Sequence, residues 1–305
     1  MSDGLDLLAG IAREAAQIIN AVYATPFEVE YKTAHDPVTL ADRRANDLIC
    51  QRLAEEFPGV PVVAEESPPE SFADYRGAER VFFVDPLDGT REFVKKNGEF
   101  VVMIGLLEAG RPISGVILAP ATGVLWAGRV ASKAELVRPD GKRSALGVSS
   151  TSSLAEARIV CTRSHKSPAL ERALDALGVR QLDALGSAGL KCAEVAAGRA
   201  DAYVAPARAG CRWDVCAGEA IIVAAGGALT DAYGEPIDYS SESLVNERGI
   251  VASNGRLHDA ILARLAEADH RELDRGEVPE RVERADARAQ VLDLRDREDR
   301  ILHPQ

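Results

Sequence analysis

The sequence predicts a mixed α/β (α+β) protein, and three observations predict it. Apolar residues recur at helical spacing at the start of the chain. Short apolar runs joined by Gly- and Pro-containing turns fill the middle. Beyond about Gly147, short strands alternate with Ala-rich helices. Periods of 3.6 and 2 thus coexist in one chain, which an all-α or all-β protein does not show.

The first helix follows from Leu5, Leu8, Ile11, Ala15, Ile18, Ile19 and Val22, one apolar stripe. Residues 31–37 read as a polar, Pro-containing connection. The next helix starts near Thr39, whose hydroxyl can cap while Asp42 sits three residues on, a capping-box pattern. Ala45, Leu48, Ile49, Leu53 and Phe57 form its buried face. After Pro58-Gly59, a strand at 60–64 ends in Glu65-Glu66-Ser67. Strands at 100–107, 113–118 and 124–127 are separated only by short turns, so they pair antiparallel.

In the second half, strands at 158–162, 202–204, 228–230 and 250–252 alternate with helices near 168–177, 189–198 and 214–226. The expected organisation is an N-terminal α+β half at 1–146 and a C-terminal α/β half at 147–270, whose last helix lies at 256–268. Residues 271–305 are rich in Glu, Asp and Arg. They read as a solvated flexible tail, with a docking arm as the alternative.

Composition narrows the function. With 305 residues, 46% hydrophobic and 28% charged, the chain is an ordinary globular protein. No apolar run reaches the roughly 20 residues that span a bilayer, and the N-terminus lacks a signal-peptide pattern, so cytoplasmic residence is expected, with peripheral membrane association left open. A net charge of −12 argues against nucleic-acid polymers as partners but permits a small phosphorylated substrate. The five cysteines form no CxxC pair, and their odd number favours free, mostly buried thiols.

The most informative segment is Val81-Phe82-Phe83-Val84-Asp85-Pro86-Leu87-Asp88-Gly89-Thr90. An uncharged apolar run reads as a buried strand, and its end delivers Asp85 and Asp88 to a site. Pro86 fixes one backbone angle and Gly89 permits a tight turn, so both acids and the Leu87 carbonyl can converge. Adjacent carboxylates repel unless a cation lies between them, and hard divalent cations such as Mg²⁺ prefer oxygen ligands. Asp42, Glu65 and Asp214 also stand where elements begin or end. Asp214, in Arg212-Trp213-Asp214, has a plain alternative role as a first-turn helix acid.

Four motifs occur in order: Asp36-Pro37-Val38-Thr39-Leu40-Ala41-Asp42, Ala64-Glu65-Glu66-Ser67, Asp85-Pro86-Leu87-Asp88-Gly89-Thr90 and Trp213-Asp214. On these the chain resembles the inositol monophosphatase superfamily of metal-dependent, lithium-sensitive phosphomonoesterases, over roughly residues 5–265. Within it the likeness is to the CysQ-like 3'(2'),5'-bisphosphate nucleotidases. That narrower likeness rests on the loop at 91–100, on Thr162-Arg163-Ser164-His165 and on Gly186-Ser187-Ala188-Gly189-Leu190-Lys191. Arg212 departs from the Glu that usually precedes Trp-Asp in the nucleotidases, which touches the leaving-group preference more than the chemistry.

The resemblance implies a layered αβαβα sandwich of the inositol monophosphatase / fructose-1,6-bisphosphatase type. It implies two or three Mg²⁺ ions, with Glu65, Asp85 and the Leu87 carbonyl at one, and Asp85, Asp88 and Asp214 at a second. A water activated with help from Thr90 and an Asp42 or Glu65 carboxylate would attack phosphorus in line. Backbone N–H groups of Gly89 and Thr90 would meet phosphate, alongside Glu65, Leu87, Asp88 and Asp214. Ser164, His165 and Lys191 would contact the substrate, expected to be 3'(2')-phosphoadenosine 5'-phosphate. Lithium is an expected inhibitor, and homodimers are common in the family.

Three rivals stand beside this reading. Hydrolysis of inositol-1-phosphate, fructose-1,6-bisphosphate or histidinol-phosphate would use the same superfamily chemistry. Asp85–Thr90 superficially resembles the Asp-x-Asp-Gly-Thr signature of haloacid dehalogenase phosphatases, but its spacing is one residue too long. A catalytically inactive, metal-binding regulator is the non-enzymatic alternative.

Overall fold

The computed structural model describes residues 4–33, 36–164 and 167–274. Helix α1 (Gly4–Tyr23) buries Leu5, Leu8, Ile11, Ala15, Ile19 and Val22 along the stripe that the sequence displays. Residues expected to form an open connection instead make a bulged antiparallel hairpin of β1 (Val29–Thr33) and β2 (Asp36–Thr39). Almost all of β1 faces solvent, so no apolar alternation marks it in the sequence.

Helix α2 (Leu40–Glu56) begins as predicted. The Ala41 N–H donates to Thr39 Oγ1 at 3.1 Å, and the Thr39 N–H donates to Asp42 Oδ2 at 2.8 Å. After β3 (Val62–Ala64) come two short 3₁₀ turns, then β4 (Arg80–Asp88) and the short helix α3 (Thr90–Val94). The meander β5 (Val101–Glu108), β6 (Arg111–Ala119), β7 (Val124–Arg129), β8 (Lys133–Val137) and β9 (Arg143–Ala145) completes a seven-stranded sheet in the order β3-β4-β5-β6-β7-β8-β9. All its pairs are antiparallel except β3 with β4. Strands β8 and β9 escape the sequence reading because their runs are short and carry charge.

The second sheet contains β10 (Arg158–Thr162), β11 (Gln181–Leu185), β12 (Ala202–Ala205), β13 (Ala228–Thr230) and β14 (Ile250–Ser253) in the order β11-β10-β12-β14-β13. Its helices are α4 (Pro168–Leu177), α5 (Ala188–Ala196), α6 (Trp213–Ala224) and α7 (His258–Asp274). Strand β11 is an exposed edge, which hides it from a search for apolar runs. Helix α7 runs past the predicted end at 268. Of the tail expected at 271–305, residues 271–274 belong to α7 instead, and 275–305 lie outside the described residues.

These elements stack as the layered αβαβα sandwich. Helices α1 and α2 cover the outer face of the first sheet. Helices α5 and α6 lie between the sheets, and α4 and α7 close the outer face of the second. A row of glycines sets the middle layer. Gly105 pairs with Gly115, and Gly115 with Gly128, across β5, β6 and β7. A Cβ at Gly115 would lie 2.2 Å from the Ala217 carbonyl oxygen, and one at Gly128 would lie 2.7 Å from Ile221 Cα. Without side chains there, α6 packs its backbone directly on the sheet. That contact fixes where the N-terminus of α6, and so Asp214, meets the end of β4.

The same helix buries an acid. Tyr239 Oη donates to Glu219 Oε2 at 2.7 Å, and Tyr75 Oη donates to the Tyr239 carbonyl at 3.1 Å. Burial pushes the Glu219 carboxyl up to about 7 from 4.5. The folded state therefore holds this proton more tightly than the unfolded chain, and stability falls as pH rises from about 4.5 to about 7. The Glu219→Gln variant keeps an acceptor for Tyr239 and removes the titration. Urea unfolding should find it more stable than the wild type at pH 8 by about 3 kcal/mol, with the gap closing toward pH 4.5. A gap that does not change with pH would contradict this assignment.

Candidate active site

The end of β4 is irregular, and the irregularity builds the site. Its pairing with β5 shifts between Asp85 and Asp88, around Pro86, which has no N–H for the ladder. The freed Leu87 N–H turns inward and donates to Asp85 Oδ1 at 2.9 Å. Gly89 then takes φ +99°, with the Glu99 carbonyl oxygen 2.7 Å from where a Cβ would lie, so only glycine fits. Thr90 opens α3 with its hydroxyl 2.9 Å from Asp42 Oδ1 and 3.2 Å from the Leu87 carbonyl. Asp42 thus caps its own helix through one oxygen and holds Thr90 through the other. Burial raises the Asp42 carboxyl, against hydrogen bonds from Thr39 and Thr90.

Three carboxylates from separate elements converge. Glu65 follows β3, Asp85 ends the regular part of β4, and Asp214 lies in the first turn of α6. One oxygen from each lies within 4.8 Å of the others. Burial is the leading reason that all three carboxyls sit above the ordinary range. For Asp85 the charges of Glu65 and Asp214 add to it, and for Asp214 that of Asp88. Such a set wants positive charge, and its hard oxygen donors fit a divalent cation such as Mg²⁺.

The chain supplies one cation itself, which the sequence reading missed. Lys32 on the β1–β2 hairpin puts Nζ 2.9 Å from Glu65 Oε1 and 2.5 Å from Glu66 Oε1. Burial alone would lower the Lys32 pKa, but Glu65 and then Glu66 outweigh it and raise it. Burial, then the Glu65 charge, pushes Glu66 up to about 7. No local motif announces Lys32. Only the hairpin, itself unmarked in the sequence, carries it to the acids.

Asp88 lies beside this group rather than within it. Its Oδ2 accepts from Ser187 Oγ at 2.5 Å and from the Gly189 N–H at 2.6 Å, at the start of α5. Ser187 also caps that helix, accepting from the Leu190 N–H at 3.0 Å. Lys191 is buried, and its Nζ donates to the carbonyls of Ser187 (2.7 Å) and Gly186 (3.1 Å). Ser164 Oγ donates to Glu92 Oε1 at 2.5 Å. Glu99 accepts from both the Arg163 guanidinium (2.5 Å) and the Gly186 N–H (2.9 Å). The loop at 91–100 therefore braces the turn that carries Ser187. His165 lies outside the described residues. Lys96, one of the basic residues of the loop, sits over the rings of Tyr23 and Phe27.

A cleft of about 230 Å³ opens from the acids, lined among others by Asp88, Asp214, Lys191, Tyr203, Arg208 and Leu170. It offers apolar wall, one aromatic ring and cationic groups beside the carboxylates. Arg212 does not face it. Its Nε donates to the Asp238 carbonyl at 2.9 Å, and it also reaches Val245 and Asn246.

A model of the inositol monophosphatase family matches residues 2–270. The chain belongs to the inositol monophosphatase family. The 3'(2'),5'-bisphosphate nucleotidase CysQ of Escherichia coli strain K12 is 38% identical to it over 252 residues, covering 79% of this chain and 96% of that protein. Among solved structures, the IMPase of Thermotoga maritima superposes with a TM-score of 0.75 at 28% identity, covering 88% of this chain and 99% of that one. CysQ from Bacteroides thetaiotaomicron superposes at 0.70 with 30% identity, covering 82% and 97%. The family and the layered fold stand as the sequence predicts, and membership places the chain among the phosphoric monoester hydrolases. Among the described residues, no helix is long and apolar enough to cross a membrane.

The electrostatics give a test. Asp85→Asn removes one of three crowded acids, so the chelator-treated variant should be more stable than the wild type at pH 8, by about 1 kcal/mol or more. Excess Mg²⁺ should stabilise the wild type, by about 2.7 kcal/mol at one hundred times its Kd, and the variant hardly at all. Thermal unfolding with and without Mg²⁺ reads both effects. Equal stabilisation of the two proteins would remove Asp85 from the candidate cation ligands.

Proposed function

We propose that this phosphoric monoester hydrolase is a Mg²⁺-dependent 3'(2'),5'-bisphosphate nucleotidase, converting 3'(2')-phosphoadenosine 5'-phosphate to AMP and phosphate. The observation that carries the proposal is the convergence of Glu65, Asp85 and Asp214, the last of which also lines a cleft with an aromatic ring and cationic groups. The likeness to CysQ nucleotidases, at 38% identity over nearly their whole length, supports the nucleotide as substrate.

Glu65, Asp85, Asp214, Asp88 and the Leu87 carbonyl are the groups that would hold two or three Mg²⁺ ions. Bound there, Mg²⁺ would neutralise phosphate charge and make water a better nucleophile at neutral pH. Thr90 and Asp42 orient the attacking water: the Thr90 oxygen is positioned by the Asp42 carboxylate 2.9 Å away, and Asp42 or Glu65 takes the proton. The N–H groups of Gly89 and Thr90 are the backbone donors for phosphate oxygens. Asp88, held by Ser187 and Gly189, also lines the cleft. In the cleft, Tyr203 offers a face for a base, and Arg208 and Lys191 offer positive charge for a second phosphate. Ser164 and His165 complete the substrate contacts in this reading, and Li⁺ acts as an inhibitor.

A second reading, hydrolysis of inositol-1-phosphate, is favoured by the likeness to the Thermotoga maritima IMPase. Fructose-1,6-bisphosphate and histidinol-phosphate would use the same centre. Phosphate release from these esters, measured in parallel with and without Mg²⁺ and Li⁺, decides. The expected result is at least a tenfold preference in kcat/KM for the bisphosphate nucleotide, lost without Mg²⁺ and suppressed by Li⁺. Faster turnover of inositol-1-phosphate would replace the nucleotide as substrate. No Mg²⁺-dependent release from any ester would leave a metal-binding regulator.

A further inference from the structure

Asp214 hangs on a turn that two residues outside the acidic group hold in shape. The Cys211 N–H donates to Asp214 Oδ2 at 2.6 Å. Gly210 precedes it at φ +63°, and a Cβ there would come within 1.9 Å of Asp214 Oδ2. The turn thus wraps the carboxylate closely, and its path decides where the carboxylate points. Asn246, buried to 2% exposure, braces that path. Its Nδ2 donates to the carbonyls of Ala209 (3.0 Å) and Cys211 (2.7 Å), one on each side of Gly210. Its backbone N–H donates to the Gly210 carbonyl at 2.9 Å, and its carbonyl accepts from the Ala209 N–H at 3.1 Å.

Arg212 ties this brace to the rest of the fold. Its guanidinium donates to Asn246 Oδ1 and to the carbonyls of Val245 (3.3 Å) and Asp238 (2.9 Å). The Arg212 N–H donates to the Leu244 carbonyl at 2.8 Å. Arg76 holds the same loop from the N-terminal half through the carbonyls of Ser241 (3.2 Å) and Glu242 (3.1 Å).

We infer that Asn246 and Arg212 are positioning residues for the cation site, setting the Asp214 carboxylate through the Gly210–Cys211 turn. The inference deepens the function proposed above and rests on it. It also gives Arg212 a task where the family pattern has Glu: the side chain turns away from the cleft and secures the loop at 238–246. Both act through Asp214, since neither reaches the other carboxylates of the group.

The test uses the full-length protein, Mn²⁺ as the probe ion, and two readouts. Asn246→Asp keeps the shape and the acceptor for Arg212 but loses both Nδ2 donors. It should weaken Mn²⁺ binding, followed by calorimetry, about tenfold or more, and lower kcat with KM changed less than threefold. In the metal-free protein it should speed hydrogen exchange of the Cys211 amide by tenfold or more. Placed on Asp214→Asn, the same substitution should leave Mn²⁺ affinity where Asp214→Asn alone puts it. Arg212→Met, which spares the buried amide, should act in the same direction, and it decides the matter if Asn246→Asp does not fold. Mn²⁺ affinity within twofold of wild type in a folded variant overturns the inference, as does an equal loss in the Asp214→Asn background. If the wild type binds no Mn²⁺, the proposed function fails instead, and an unchanged Cys211 exchange rate would then overturn this inference by itself.

Discussion

Mutual repulsion among Glu65, Asp85 and Asp214 is the constraint around which the surrounding chain is arranged. At an effective dielectric near 20, two unit charges 4 Å apart repel by about 4 kcal/mol, and a domain is stable by only about 5–15 kcal/mol in all. Three ionised carboxylates with one oxygen each within 4.8 Å of the others, Asp85 buried and Glu65 and Asp214 half-buried, cannot persist without cations among them. Burial and neighbouring charge raise their pKa values, and Lys32 brings an ammonium to Glu65. Burial first, and then the neighbouring charges, disfavour the ionised acids, and a divalent cation would offset both.

Holding the acids together falls to groups that look structural. The glycine row across β5, β6 and β7 lets α6 lie on the sheet, which carries Asp214 to the end of β4. The cap of α2 doubles as the bracket for Thr90, because Asp42 has two oxygens and uses one for each task. Asp88 is steadied by a serine and an amide at the head of α5, where the helix dipole favours negative charge. Residues of the second sheet and its loops thus orient acids that the first half of the chain mostly supplies.

How much of this is legible in the sequence depends on whether a feature is local. The capping box at Thr39 and Asp42, the apolar run ending at Asp85, and the helix opening at Trp213 are local patterns, and each element lies where its pattern puts it. The convergence of Glu65, Asp85 and Asp214 is not local. It became an expectation only because the ordered motifs resemble a family. Lys32 stayed hidden because an exposed hairpin leaves no apolar alternation to read. Ser187 lay inside a motif quoted for its lysine, while its hydroxyl grips Asp88. Asn246 gave no signal, since a buried amide that satisfies two carbonyls looks like any loop asparagine until the turn at Gly210 is seen.

The account stands most directly on one measurement: diffraction from crystals soaked in excess Mn²⁺, with anomalous maps phased on the protein. It predicts a strong peak bounded by Glu65, Asp85 and Asp214, with Lys32 Nζ displaced from Glu65. Ordered carboxylates with no anomalous peak between them, at a concentration that saturates phosphate release, would contradict it.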